Sequence, residues 1–194
     1  GFSVDAGALA INGMYGLAPL GHSALEYIER VEVRKGPSAL FTGMAPSGGI
    51  GGVINLVPKR ATDTPLTRVT LDYQTQNQVG AHIDAGRRFG TDNAIGVRVN
   101  GSYGDGETAL KGQDKTRKFL SAALDYRGEA LTASLDTYSS KDAFAGGSSA
   151  MFGFANPALP AAPDPTTNLL RSAAGELDSQ AGIARAEYAF NRSL

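Results

Sequence analysis

The chain has 194 residues, 18 basic and 19 acidic side chains, a net charge of -1 and no cysteine. That length admits one or two domains with a sizeable core. Balanced charge without a basic cluster argues against a nucleic-acid partner, and the missing cysteine removes disulfides, thiolate metal sites and cysteine nucleophiles together. No run of about 18 apolar residues occurs, so no transmembrane helix is available and residence in a membrane would require a β-barrel.

Residues 1 to 64 read as compact, turn-rich α+β material. Within them, residues 31 to 61 pack glycines and prolines between two short apolar runs. Gly43, Gly48, Gly49, Gly51 and Gly52 permit positive φ and close backbone approach, and Pro37 and Pro46 fix the entries to those turns. Taken singly each glycine is a plain turn; together they describe loops that approach a ligand or a wall. A phosphate-binding loop is excluded here, because no Gly-Lys-Ser/Thr closes the stretch and no long helical pattern follows.

From residue 67 to residue 190 one pattern repeats: about ten residues of alternating apolar and polar character, then a turn. Val69, Leu71 and Tyr73 share one face against Arg68, Thr70 and Asp72. Val79, Ala81, Ile83, Ala85 and Phe89 then oppose His82, Asp84 and Arg88, and Ile95, Val97, Val99 and Tyr103 oppose Arg98, Asn100 and Ser102. Three more segments follow at 117 to 127, 130 to 138 and 181 to 190, the last with Ala184, Ala186, Tyr188 and Phe190 against Arg185 and Glu187. This predicts six antiparallel strands.

The connections divide by length. Those at 90 to 93 and 127 to 129 are tight, whereas those at 104 to 116 and 139 to 179 are long and polar or proline-rich. Outer-membrane barrels distribute periplasmic turns and extracellular loops in this way, with an apolar outer face that ends in aromatic girdles. A soluble β-sandwich also alternates, so both architectures satisfy the alternation itself. In the longest connection Phe144, Met151, Phe152 and Phe154 lie among glycines and alanines, which marks either a ligand-facing patch or a loop packed on itself. The acidic residues of the 104 to 116 loop lack the spacing of a calcium site. His22 and His82 are 60 residues apart with no metal-ligand cluster or nucleophile elbow near either, and no catalytic constellation emerges.

The run Ile28-Glu29-Arg30-Val31-Glu32-Val33-Arg34-Lys35-Gly36-Pro37-Ser38-Ala39-Leu40, followed by Gly43, Gly48-Gly49, Gly52-Val53-Ile54-Asn55-Leu56-Val57 and Lys59-Arg60, resembles the plug signature of TonB-dependent outer-membrane receptors, most closely their siderophore branch. Residues 4 to 17 look like the preceding plug strand and its glycine-rich apical turn. The resemblance implies a mainly β fold: the C-terminal part of an α+β plug at 1 to 64, then about six strands, 65 to 194, of an incomplete transmembrane barrel of about 22 strands. It implies a piece of a receptor, not competent alone, that binds a ferric siderophore outside and passes it to the periplasm. Expected partners are TonB, through a box absent from this chain, the ferric siderophore and outer-membrane lipid. Iron is expected only as part of the siderophore cargo, with no directly bound cofactor or metal.

The expected location is the outer membrane of a Gram-negative bacterium. Alternatives are a receptor of the same build for cobalamin or a saccharide, and a soluble β-sandwich binding module. The resemblance places ligand contacts on two plug apices, at Tyr15 and at Phe41, Thr42 and Met44. Relatives often carry Tyr where this chain has Thr42, and Phe41 or Tyr15 could supply the missing ring. Phe144, Phe152 and Phe154 would face the ligand from the long loop. Glu29, Arg30, Glu32, Arg34 and Arg60 are expected to pair plug with barrel wall, with the partners of Arg60 expected to be glutamates beyond residue 194.

Overall fold

The computed structural model describes residues 6–19, 23–36, 40, 43–46, 51–74, 77–148 and 164–190. Four strands come first: β1 (Leu9–Ile11), β2 (Met14–Tyr15), β3 (Ile28–Lys35) and β4 (Gly52–Pro58). They form one sheet in the order β2-β1-β4-β3, with β1 parallel to β4 and the other pairs antiparallel. The β1–β2 hairpin turns on Asn12 and Gly13, both with positive φ (49° and 81°), the Asn-Gly geometry whose twist matches the flanking strands. Among the described residues of 1 to 64 the regular structure is almost all strand, with a short 3-10 turn at Ala6–Ala8 and Leu40 helical between β3 and β4.

Six longer strands follow: β5 (Leu66–Gln74), β6 (Gln78–Phe89), β7 (Ile95–Glu107), β8 (Asp114–Arg127), β9 (Leu131–Ala145) and β10 (Gly175–Tyr188). They pair in sequence order as an antiparallel meander, with β5 and β10 at the edges. All six predicted strands are present, but β8, β9 and β10 run several residues further than the alternation indicated. Their extra lengths carry polar side chains on both faces, Asp114, Lys115, Ser139, Lys141 and Asp178 among them, so period-two polarity fades there although hydrogen bonding continues.

The polarity of this second sheet is inverted relative to a sandwich. Val69, Leu71, Leu120, Leu124 and Leu135 face outward and are bare, Leu71 at 78% exposure. Asp84, Arg98, Asn100, Ser121, Asp125 and Asp136 face inward and are buried, Asp84 to 1%. The first sheet covers that inner, polar face. Among the described residues the apolar contact between the two sheets is one cluster: Ile11, Ala24, Tyr27, Ile28 and Leu56 meet Phe119, Tyr138 and Ile183. A sandwich buries apolar face against apolar face, so the soluble-sandwich alternative is set aside.

Inward-facing glycines make room for inward-facing charge. At Gly86 a Cβ would collide with the Arg98 side chain, and at Gly96 with both Arg88 and Asp125. The arginines therefore lie flat over the strand backbone, which lets Arg98 reach Asp84 on the neighbouring strand and Arg88 reach Asp125 two strands away.

Candidate functional site

After β4 the chain does not leave the second sheet but runs along its inner face, and successive residues are tied to different strands. Lys59 donates its backbone N–H to Tyr27 O at 2.8 Å. Its ammonium donates to Glu26 O at 2.6 Å and to Asp84 of β6 at 3.1 Å. Arg98 of β7 closes on the same Asp84 carboxylate, Nη2 to Oδ2 at 2.8 Å, and donates from Nη1 to Arg60 O at 3.3 Å. Arg60 forks onto Asp136 of β9, with Nη2 2.6 Å from Oδ2. Arg88 of β6 donates to Ala61 O at 3.0 Å and to Asp125 of β8 at 2.7 Å. At the other end of the seam Arg117 of β8 donates to Glu26 Oε2 at 2.9 Å. Asp84, Arg88, Arg98 and Asp136 are nearly cut off from water, where a charge is tolerated only when paired and hydrogen-bonded, and a bidentate Arg–carboxylate fork is the strongest such pairing.

Between these ties lies an aromatic stack. Tyr27 packs against Phe119 at 5.2 Å and against Tyr138 at 5.7 Å between ring centroids. Tyr138 donates its hydroxyl to Leu17 O at 2.6 Å. Burial pushes the Tyr27 hydroxyl far above its ordinary value, so it stays protonated throughout the physiological range. Tyr138→Phe is expected to cost about 1 kcal/mol of docking between the sheets, because it strands a part-buried carbonyl while keeping the ring. Urea titration of protease protection in the full-length parent, compared with wild type, measures it.

The site residues inferred from sequence divide between this seam and two other places. Arg60 pairs with Asp136 inside this chain, which corrects the expectation of glutamate partners beyond residue 194. Glu29, Arg30 and Arg34 are exposed on β3 and do not reach a described wall strand. Arg30 donates instead to Glu32 at 2.8 Å, and Asn55 of β4 donates to the other Glu32 oxygen at 3.0 Å. Those bonds, Asn55 first and Arg30 second, hold the Glu32 carboxyl below its usual range. Asn55 also accepts from the Gly13 N–H at 2.9 Å, so the far face of the first sheet is cross-linked to itself.

Chain direction separates the two proposed apices. β4 descends toward the end where the tight turns at 90–94 and 128–130 lie, and β1 runs parallel to it, so the Asn12–Gly13 turn points toward the tight-turn end as well. Tyr15 accordingly lies half-way down the sheet, beside a pocket of about 250 Å³ shared with Glu32, Arg34, Asn55 and Arg185. Placing it at an apex is corrected by this geometry. The β3–β4 connection stands at the opposite end with the long loops, and there Met44 is exposed. Phe144, near the top of β9, lies over Gly175 at that same end. A cavity of about 520 Å³ is lined by Glu26, Asp72, His82, Lys115 and Arg117, and Lys115 pairs with Phe144 in the β8–β9 ladder. Phe41, Thr42, Phe152 and Phe154 lie outside the described residues.

Comparison with known proteins decides what this arrangement belongs to. No protein-family model matches the chain. The ferrichrome receptor FcuA of Yersinia enterocolitica is 47% identical over 137 residues, 70% of this chain and 18% of that protein. The probable TonB-dependent receptor BfrD of Bordetella pertussis is 32% identical over 92 residues, 47% of this chain and 11% of that protein. BauA, the ferric preacinetobactin receptor of Acinetobacter baumannii, superposes with a TM-score of 0.91 at 36% identity, over 99% of this chain and 29% of its own. The chain belongs to the TonB-dependent outer-membrane receptors. It spans less than a third of the length of these relatives. The ferripyoverdine receptor of Pseudomonas aeruginosa, at 18% identity and a TM-score of 0.76, shares the fold.

Several residues of this receptor seam were not singled out from sequence. Glu26 sits outside any motif, and Asp136 and Arg117 are ordinary polar positions of alternating strands. One signal was available: Phe119, Tyr138 and Ile183 are apolar residues in inward register, against the parity of their own strands, and they mark where the first sheet docks.

Proposed function

We propose that residues 1 to 64 are part of the plug and residues 65 to 194 the first strands of the barrel, of about 22 strands when whole, in a receptor that takes up a ferric siderophore. The inverted polarity of the second sheet carries this reading. A bare apolar outside suits lipid, and a charged inside tied to a separate sheet suits a stoppered lumen. Tyr126 and Tyr188 stand near the tight-turn end of the outer face, and Tyr73 and Tyr103 near the other, as interfacial girdles require. On this reading the tight turns face the periplasm and the long loops face outward. The ligand is met by Met44, Phe41 and Thr42 on the plug apex, with Phe144, Phe152 and Phe154 on the wall and its loop. Iron enters as cargo, ligated by the chelator. TonB supplies the energy through the parent protein.

The names of the relatives favour a ferric chelate over cobalamin or a saccharide. The test is growth of a strain lacking the full-length gene under iron limitation, with a panel of ferric hydroxamates, catecholates and mixed chelates, in the presence and absence of TonB. One chelate is expected to depend on both genes. Normal growth on every chelate, together with no chelate binding by the purified parent, would sink the substrate assignment.

The lipid-facing assignment has its own test. Ala122→Arg, on the bare face midway between the levels of Tyr126 and Tyr103, is expected to destabilise the inserted parent by about 2–4 kcal/mol, whereas the same change at inward-facing Ser134 should cost far less. Guanidinium unfolding in lipid vesicles reads the difference.

A further inference from the structure

We propose that Asn168 locks the β7–β8 loop and the base of the β9–β10 loop into one rigid rim, and that it is a positioning residue for the ligand met at that end. The ligand part rests on the receptor reading above; the locking part does not.

Asn168 is 7% exposed although it lies in a long surface connection. Its amide nitrogen donates to Lys111 O at 2.8 Å, in the first loop, and to Gly146 O at 2.7 Å, in the second. Around it the two loops are knitted further: Lys111 N–H to Thr166 O at 3.2 Å, and Gln113 Nε2 to Gly147 O at 2.7 Å. Gly147 N–H also donates across its own loop to Ala173 O at 2.9 Å. Gly147 has φ 146°, and a Cβ there would run into the Asn168 amide, so the backbone is shaped to admit this side chain.

The chemistry is narrow. Two carbonyls from separate loops converge on one nitrogen, and a primary amide supplies two N–H groups from one atom. Aspartate has the same shape but sets a carboxylate against two carbonyl oxygens. Alanine removes the donor from both carbonyls in a part-buried place. The rim so formed stands above the cavity lined by Lys115 and Arg117, and Lys115 follows the first loop by only two residues, so movement of that loop displaces the cavity wall.

The experiment uses the full-length parent in lipid, with Asn168→Asp and Asn168→Ala. Amide hydrogen exchange is expected to accelerate at least about tenfold at Lys111 and Gly147 together, with the mid-strand amides of β7, β8 and β9 unchanged. Faster exchange in the 164–173 segment alone, or general loosening of the strands, overturns the lock. Release of a bound radio-iron chelate is expected to be about tenfold faster in both variants. A disulfide between Lys111→Cys and Thr166→Cys, introduced in the Asn168→Ala background, should restore slow release. Loosened loops with unchanged release would overturn the positioning role. A wild-type parent that binds no chelate would overturn the substrate assignment, while the exchange data still decide the lock.

Discussion

Asp84→Ala is expected to weaken docking of the first sheet on the wall by about 3–5 kcal/mol, the largest loss from any single truncation at the seam. Asp84 is 1% exposed and is shared by two cations, the Lys59 ammonium at 3.1 Å and the Arg98 guanidinium at 2.8 Å. Truncation leaves the buried Arg98 and the part-buried Lys59 beside one another with no anion between them. Neither can turn to water, because Lys59 is also held by Glu26 O and Arg98 by Arg60 O. Asp84→Asn should fall between wild type and alanine, since it keeps a hydrogen-bond acceptor but loses the charge. The urea midpoint for protease protection of residues 23 to 36 in the parent receptor reads the change. An unshifted midpoint for Asp84→Ala would mean that the apolar cluster alone holds the sheets together.

Asp136→Arg is expected to be nearly as damaging, and the paired exchange Arg60→Asp with Asp136→Arg to recover a substantial part of the loss. The single change sets two guanidinium groups at the position of a two-pronged ion pair, 8% exposed on the Asp136 side chain, beneath Tyr27 and Tyr138. Reversing both partners restores attraction across the same gap, although the longer side chain then starts from the wall. A coupling of about 1–3 kcal/mol between the two sites is expected in a double-mutant cycle with the same protease readout. Strict additivity would show that Arg60 and Asp136 do not interact in the membrane-inserted receptor.

Alternation was legible wherever one face is apolar and the other polar. Val69-Leu71-Tyr73 and Ile95-Val97-Val99 gave their strands and their outward faces directly. The upper lengths of β8 to β10 were not legible, because Asp114, Lys115, Lys141 and Asp178 put polar groups on both sides and remove the period-two contrast. The glycine-rich turn of residues 4 to 17, which carries Tyr15, was misplaced for a different reason. Its glycines suggest a turn, but which end of the sheet the turn faces depends on β1 pairing parallel with β4, forty-five residues later in the chain at Leu9 and Ile54.

Local patterning alone determined the kinds of element, the two faces of each wall strand, and the division between a glycine-rich unit and a meander. It could do so because side-chain alternation and turn chemistry act over a few neighbouring residues. The partners across the seam were settled only by the tertiary structure. Lys59 and Asp84 are 25 residues apart, Arg60 and Asp136 are 76, and Glu26 and Arg117 are 91. No spacing rule relates such positions; they meet because the chain beyond β4 lies along the concave side of the wall, where a desolvated charge is stable only beside its opposite.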